Sequence, residues 1–356
     1  MNDTLQQITL APSFFRKERL NYKNWSFAFW REFFQNSVDA KATVIRVNVE
    51  QKGDLATTSI TDNGIGMTRD ILENVYFRLG ETTKGEGDIG GFGKARIITC
   101  FAHEQYTLYS KNWMAVGRGS DVRVTEFEEG GFYTDGFQAV VQVDATDRYG
   151  DTVNMEESLY RYLRMAQMKC KVIVNGETWA GWCHRRKKIR ELSFGDVHVN
   201  KSPNGIRNWL IVRISGVPMF ARWIDAKAQV VVEVDPIKSH EVFTSNRDGL
   251  MNGGSAELDR FLQEIATETT SALNTNRSYW TRFGDGHHTT ARRRSRKPTD
   301  QQTSDTKAAE DFRAEMAPAA SEPVSIGSTP NKSISAFQSE SSFELMSKDE
   351  MDNIIA

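Results

Sequence analysis

The stretch Trp25–Ala40, WSFAFWREFFQNSVDA, decides how this chain reads. Projected at the helical period, Phe27, Trp30, Phe34 and Val38 fall on one side, at spacings of 3, 4 and 4. Glu32, Asn36 and Asp39, spaced 4 and 3, align on the opposite side. The spacing predicts a helix with an apolar back and a row of carboxylate, amide and carboxylate on its front. Arg31 is expected to point away from that row, leaving no cation beside it. Three short or medium polar groups so arranged suit a metal ion, a water or a ligand. The alternative is a plain solvated face, and the segments that follow bear on the choice.

Ala42–Glu50 alternates, with Ile45, Val47 and Val49 on one face, which predicts a strand. Gln51–Asp54 reads as a turn and Thr57–Thr61 as the partner strand. This pair ends in Asp62-Asn-Gly64-Ile-Gly66-Met67, a tight turn at a strand end, where binding residues often sit. Thr68 is placed to cap a helix running to Leu79. Gly80–Lys94 (GETTKGEGDIGGFGK) then holds six glycines and two lysines before the helical pattern of Ala95–Phe101. Backbone N–H groups of such a loop, feeding a helix start, can cradle phosphate; a flexible connector is the other reading. A Walker loop is excluded, because Gly93-Lys94 is followed by Ala95 and Asp88 stands where the first glycine belongs. Gly85, Gly87 and Gly90 spell a dinucleotide fingerprint, but no strand immediately precedes them.

Downstream, Gln105–Val143 shows short alternating strands with glycine turns, an antiparallel pattern. Arg148–Val153 is a turn entering a strand, Glu156–Lys169 a helix and Lys171–Val174 a strand. Further strands are expected at Trp209–Ser215 and Gln229–Asp235, and a helix near Ala256–Leu273. After Trp280 large apolar residues become sparse, and ARRRSRK interrupts a chain otherwise rich in Ser, Ala, Thr, Asp and Glu. This tail is expected to be disordered, with its last stretch, Phe343–Ile355, available to a protein partner. The 356 residues suffice for two domains, and a net charge of −2 gives no global pull toward nucleic acid or acidic membranes. Three dispersed cysteines and six histidines without zinc-finger spacing suit a reducing cytoplasm. No signal peptide is recognised, and no apolar run approaches the roughly 20 residues of a membrane span.

Taken in series, three motifs resemble the superfamily of gyrase, the ninety-kilodalton heat-shock chaperone, histidine kinases and MutL. They are Glu32-x-x-x-Asn36-Ser-x-Asp39-Ala40, Asp62-x-Gly64-x-Gly66-Met67 and Ile89-Gly90-Gly91-Phe92-Gly93. The resemblance implies an α+β chain. A Bergerat-fold sandwich at 1–155 (core 24–155) is followed by a second β-α domain at 156–280 and a polar tail at 281–356 with its basic run at 292–297. NSVDAKAT looks more like MutL, the MORC ATPases and type II topoisomerase B subunits than like kinases, and no phosphoacceptor helix precedes the domain. Glu241–Leu250 is similar to a middle-domain stretch of the heat-shock chaperone, and a lone ATPase with a polar tail also fits phage rapid-lysis A proteins.

The resemblance further implies ATP with Mg²⁺. Glu32 would orient the attacking water and Asn36 would offer its amide oxygen to the metal. Asp62 would accept from the adenine amino group, with Gly64, Gly66 and Met67 around the base. Gly90, Gly91, Phe92, Gly93 and Lys94 would wrap the phosphates, with Lys84 at the start of the lid. Thr152, in Gly150-Asp-Thr-Val153, is the candidate for the family's Gly-Thr motif. Asp39 either touches ligand or supports the helix turn. Arg247 would reach the γ-phosphate from the second domain, with Lys238 next in line; pairing with Asp248 or Asp235 is the alternative. The expected activity is slow ATP hydrolysis, with nucleotide binding closing a lid and an N-terminal homodimer. A non-hydrolysing ATP-dependent scaffold and a DNA-associated clamp, using Arg185–Lys188 and the 292–297 run, are the alternatives.

Overall fold

The structure, a computed structural model, describes residues 10–82, 89, 94–128, 134–179, 188–201, 208–224 and 228–275. Lys84, Gly90, Gly91, Phe92, Gly93, Arg185–Lys187 and the tail lie outside the described residues.

The quoted stretch forms helix α2, Trp25–Asp39, preceded by α1, Pro12–Leu20. The Asn24 side chain accepts the Phe27 N–H at 3.0 Å and so satisfies an orphan donor of the first turn. At the far end Lys41 adopts φ 62°, and Ala42 N–H reaches back to the Ser37 carbonyl at 3.0 Å. That left-handed stop ends the helix and turns the chain into the first strand.

The expected apolar back is only part of the burial. Phe29, Trp30, Phe33 and Phe34 are buried, but so are Arg31, Glu32, Gln35 and Ser37, whereas Phe27 and Val38 are half-buried. The reason is that α2 is packed on several sides. Phe34 stacks on Tyr162 at 5.3 Å, Phe29 meets His103 edge-on at 5.3 Å, and Arg31 reaches Met219. Each large side chain enclosed in this way contributes about 1.5–3 kcal/mol.

The first sheet has eight strands: β1 (Val44–Lys52), β2 (Leu55–Asp62), β3 (Gln105–Lys111), β4 (Trp113–Arg118), β5 (Asp121–Glu126), β6 (Thr134–Asp144), β7 (Lys171–Val174) and β8 (Glu177–Thr178). Their order is β5-β4-β3-β6-β2-β1-β7-β8, antiparallel except for the β1–β7 pair. Ile45, Val47 and Val49 point into the core while Arg46, Asn48 and Glu50 are exposed, following the period of two. Between β2 and β3, α3 (Arg69–Ile71) starts at the capping Thr68 and continues as a π-helical turn, Leu72–Tyr76. A second π-helical turn, Ile97–Phe101, sits beneath α1 and α2. Helix α4 (Met155–Met165) contributes Met155, Leu159, Tyr162 and Leu163 to the same core. So α4, β7 and β8, expected in the second domain by the division at 155/156, belong to the first layer. The parallel β1–β7 pairing brings them there, and nothing local in the sequence signals it.

The second sheet runs β12-β11-β13-β10-β9, from β9 (Lys188–Leu192), β10 (Gly195–Lys201), β11 (Asn208–Ile214), β12 (Val217–Ile224) and β13 (Ala228–Val234). After the short α5 (Ser239–Val242), helix α6 (Asn252–Thr275) covers it with Leu258, Phe261 and Ile265. Ile89, from the glycine-rich segment, is buried in this second core. No helix among the described residues is long and apolar enough to cross a membrane.

Candidate functional site

The row predicted on α2 exists, and the tertiary structure gives each member a different neighbour. Glu32 is 7% exposed, and its Oε1 accepts from Nε and Nη2 of Arg31 at 3.0 and 2.6 Å. The expectation that Arg31 points away is therefore corrected. Its guanidinium folds back onto the carboxylate, because Nη1 is held by the Met219 and Arg247 carbonyls, each at 3.2 Å. Asn36, one turn beyond Glu32, is half-buried. Asp39 accepts the backbone N–H of Ile89 at 2.9 Å, so it anchors the glycine-rich segment to the end of the motif helix.

Arg247 is buried beside this row, although 215 positions separate it from Glu32 in sequence. Phe243 and Leu250 pair as an isolated bridge, Thr244 N–H bonds to the Gly249 carbonyl at 3.1 Å, and Arg247 N–H bonds to the Thr244 carbonyl at 2.8 Å. That closed turn forces Arg247 to φ 52°, an uncommon conformation for a side chain other than glycine or asparagine. Burial lowers the pKa of its guanidinium; Glu32 and Asp39 pull the value back, and Arg31 pushes it further down. The Thr244 hydroxyl donates to Asp248 Oδ1 at 3.0 Å. Lys238 is exposed and donates to the Ser193 carbonyl.

Asp62, at the end of β2, is 5% exposed. Its Oδ2 accepts from Ser37 Oγ at 2.8 Å and its Oδ1 from Gly64 N–H at 2.9 Å. Burial raises its pKa, against the hydrogen bonds from Gly64, Ser37 and Phe137. Ser37 follows Asn36 directly, so this bond ties the Asp62 turn to the motif helix. The turn then fits closely against its surroundings. A Cβ on Gly64 would lie 2.7 Å from Ala40, and Gly66 holds φ 64° against the Gly136 and Asp135 carbonyls. Met67 is half-buried, and its N–H donates to Ser110 Oγ at 2.7 Å; that hydroxyl donates to the Gly136 carbonyl at 2.9 Å. A side chain at Gly136 is impossible without rearrangement, since its Cβ would sit 2.0 Å from the Asp62 carbonyl. Arg31, Ser110 and Gly136 were missed by the sequence reading, and Ser37 entered it only as a letter of the helix motif. Of these, a glycine beside a strand pattern was the one available signal of close backbone approach.

Lys94 is exposed at the start of the short helix before the second π-helical turn, where its carbonyl accepts from Ile97 N–H at 3.0 Å. Thr152 does not join the site. Its hydroxyl bonds to Asp54, in the β1–β2 turn, at the opposite end of β2 from Asp62. Eight residues of strand, roughly 25 Å, separate the two ends.

Among the described residues, no cluster of three or more His, Cys, Asp or Glu forms a metal cage. The amide oxygen of half-buried Asn36 fits a Mg²⁺ held through one side chain, waters and substrate phosphates, which is how this ion commonly binds.

A mostly antiparallel sheet flanked by helices, with the motif helix tied to the buried Asp62 turn through Ser37, has the α+β arrangement expected of a Bergerat-type sandwich. Residues 28–126 match the family model described as histidine kinase-, DNA gyrase B-, and HSP90-like ATPase. Among solved structures, the ATPase region of Saccharomyces cerevisiae topoisomerase II is similar, at 11% identity and a TM-score of 0.45, over 69% of this chain and 86% of that one. The same region bound to ICRF-187 (dexrazoxane) gives 11% identity and a TM-score of 0.43, over 62% and 76% of the two chains. No curated protein sequence matches the chain.

Proposed function

We propose that this chain binds ATP with Mg²⁺ and hydrolyses it slowly. The observation that carries the reading is the meeting of Glu32 and Arg247 in one buried place, supplied by two different sheets' surroundings. In-line attack on a γ-phosphate needs an oriented water and a donor for the charge that spreads over the phosphoryl oxygens. Glu32 orients the water and takes its proton, and Arg247 offers a rigid fork of donors to the developing charge. Asn36 would hold Mg²⁺ through its amide oxygen, and the bound ion would supply charge neutralisation. Asp62 holds the adenine amino group, with Gly64, Gly66 and Met67 shaping the base site. Lys94, with Gly90, Gly91, Phe92, Gly93 and Lys84, surrounds the phosphates, and Asp39 holds the end of that segment through Ile89. Nucleotide binding closes the segment and an N-terminal homodimer, in the cytoplasm, with the tail reaching a protein partner.

A second reading, an ATP-dependent scaffold that does not turn over, is favoured by one observation. Two hydrogen bonds from Arg31 occupy Glu32 Oε1, one of the two oxygens that could receive a proton from the attacking water. Phosphate release by wild type and Glu32→Ala, beside ATP binding by calorimetry, separates the two. Hydrolysis lost in Glu32→Ala with binding retained supports the first reading. No release above background from wild type, with binding intact, supports the second.

A further inference from the structure

Arg31 is 2% exposed, and one flat group joins three parts of the molecule. Its Nε and Nη2 hold Glu32 Oε1, while Nη1 donates to the carbonyls of Met219, on β12, and of Arg247, in the turn after α5. Neighbouring positions on a helix are about 100° apart, so helical geometry alone does not bring residue i onto i+1. The two carbonyls, from β12 and from the turn after α5, hold Nη1 while Nε and Nη2 lie against Glu32. Because the guanidinium is rigid, its donors cannot be re-aimed one at a time. A shift of β12 or of the Arg247 turn must break the Nη1 bonds or carry the guanidinium, and with it the carboxylate.

We propose that Arg31 is a positioning residue that sets the orientation of the Glu32 carboxylate according to the placement of β12 and the Arg247 turn. The inference rests on the reading of Glu32 as the residue that orients water. It adds that the second layer acts on the reaction twice, through the Arg247 side chain and, separately, through backbone carbonyls gripping Arg31. The charged and titratable groups near Glu32 include Arg31 from its own helix, Arg247 from the turn, Tyr22 from the segment entering α2 and Tyr162 from α4.

The test uses the full chain and the variants Arg31→Ala, Arg31→Lys, Glu32→Ala and Arg31→Ala/Glu32→Gln. Arg31→Ala is expected to leave KM for ATP within about threefold and to lower kcat about tenfold or more, the scale of a slightly misplaced reacting group. Arg31→Lys should restore only part, because an ammonium cannot bridge carboxylate and carbonyls in one plane. Independently of turnover, Arg31→Ala should lower the melting temperature, and adding Glu32→Gln should recover part of the loss, since the buried carboxylate deprived of its Arg31 hydrogen bonds is then neutral. Wild-type kcat in Arg31→Ala, or a double variant no more stable than Arg31→Ala, overturns the proposal. Glu32→Ala run in parallel separates the premises. Retained turnover there removes Glu32 as the base, whereas a dead Glu32→Ala beside an unimpaired Arg31→Ala removes the positioning role alone.

Discussion

Replacing Asp62 by asparagine changes charge at almost constant shape. The fold leaves little freedom in how the amide sits. Gly64 N–H, 2.9 Å from Oδ1, can only donate, so the amide oxygen must face it. The amide NH2 then falls toward Ser37, 2.8 Å from Oδ2, whose hydroxyl can turn to accept. These two contacts survive as neutral hydrogen bonds, each about 1 kcal/mol weaker than with a carboxylate, and the Phe137 N–H contact is kept where it shares the amide oxygen. Against that loss stands a gain. Burial raises the folded pKa of Asp62, so the stability linked to this group is fully present below its unfolded pKa and is lost as pH rises through the folded value. Wild type therefore carries a charge-burial cost at neutral pH that asparagine lacks, and the net change in stability should stay within about 1 kcal/mol. Ligand binding has no such offset. An amide NH2 facing the adenine amino group replaces a charged acceptor, a loss of about 1.5–3 kcal/mol, or about ten- to a hundred-fold in Kd. Calorimetric titration with ATP measures this, beside thermal melts at pH 7 and 4. The variant should bind weakly, melt near wild type at pH 7, and lose the part of the pH dependence due to Asp62. Unchanged affinity would refute the adenine role, and weak binding with a collapse in melting temperature would show that Asp62 serves the fold instead.

Arg247→Ala should leave ATP affinity within a few-fold and slow single-turnover hydrolysis by about two orders of magnitude or more, with poor rescue by lysine. Arg247→Asn is the better-behaved partner variant, because asparagine tolerates the φ of 52°; wild-type turnover in it would remove the guanidinium from the chemistry. His103 predicts acid sensitivity: burial, with Arg19 adding to it, lowers its pKa from 6.5 to about 3, while Nε2–H donates to the Ile98 carbonyl at 2.7 Å. A depressed folded pKa means stability present above pH 6.5 and lost as pH falls toward 3, at about 1.4 kcal/mol per unit. Urea melts between pH 7 and 4 should show a shallower decline for His103→Gln than for wild type, and an identical slope would rule the histidine out as the source.

What the sequence could determine by itself was everything governed by short-range periodicity and turn chemistry. A period of 3.6 aligned Glu32, Asn36 and Asp39, and a period of two put Ile45, Val47 and Val49 into the core. Asp62-x-Gly64-x-Gly66 announced a turn because left-handed and sterically tight backbone calls for glycine wherever it falls. The same short range explains the errors. Gly150-Asp-Thr152 has the spelling of a site motif, but the order of strands places Thr152 beside Asp54, at the other end of β2. Helix α4 and strand β7 joined the first layer through a parallel pairing across more than a hundred residues. Ser110 and Gly136 reach the Asp62 turn only because β6 pairs with both β2 and β3, a matter of register that no local pattern encodes. Arg31 shows the division most clearly. Helical projection turns its Cβ away from the Glu32 row, yet its long side chain is free to go where donors are needed. Two carbonyls, close to two hundred residues downstream or more, decide that this place is the Glu32 carboxylate.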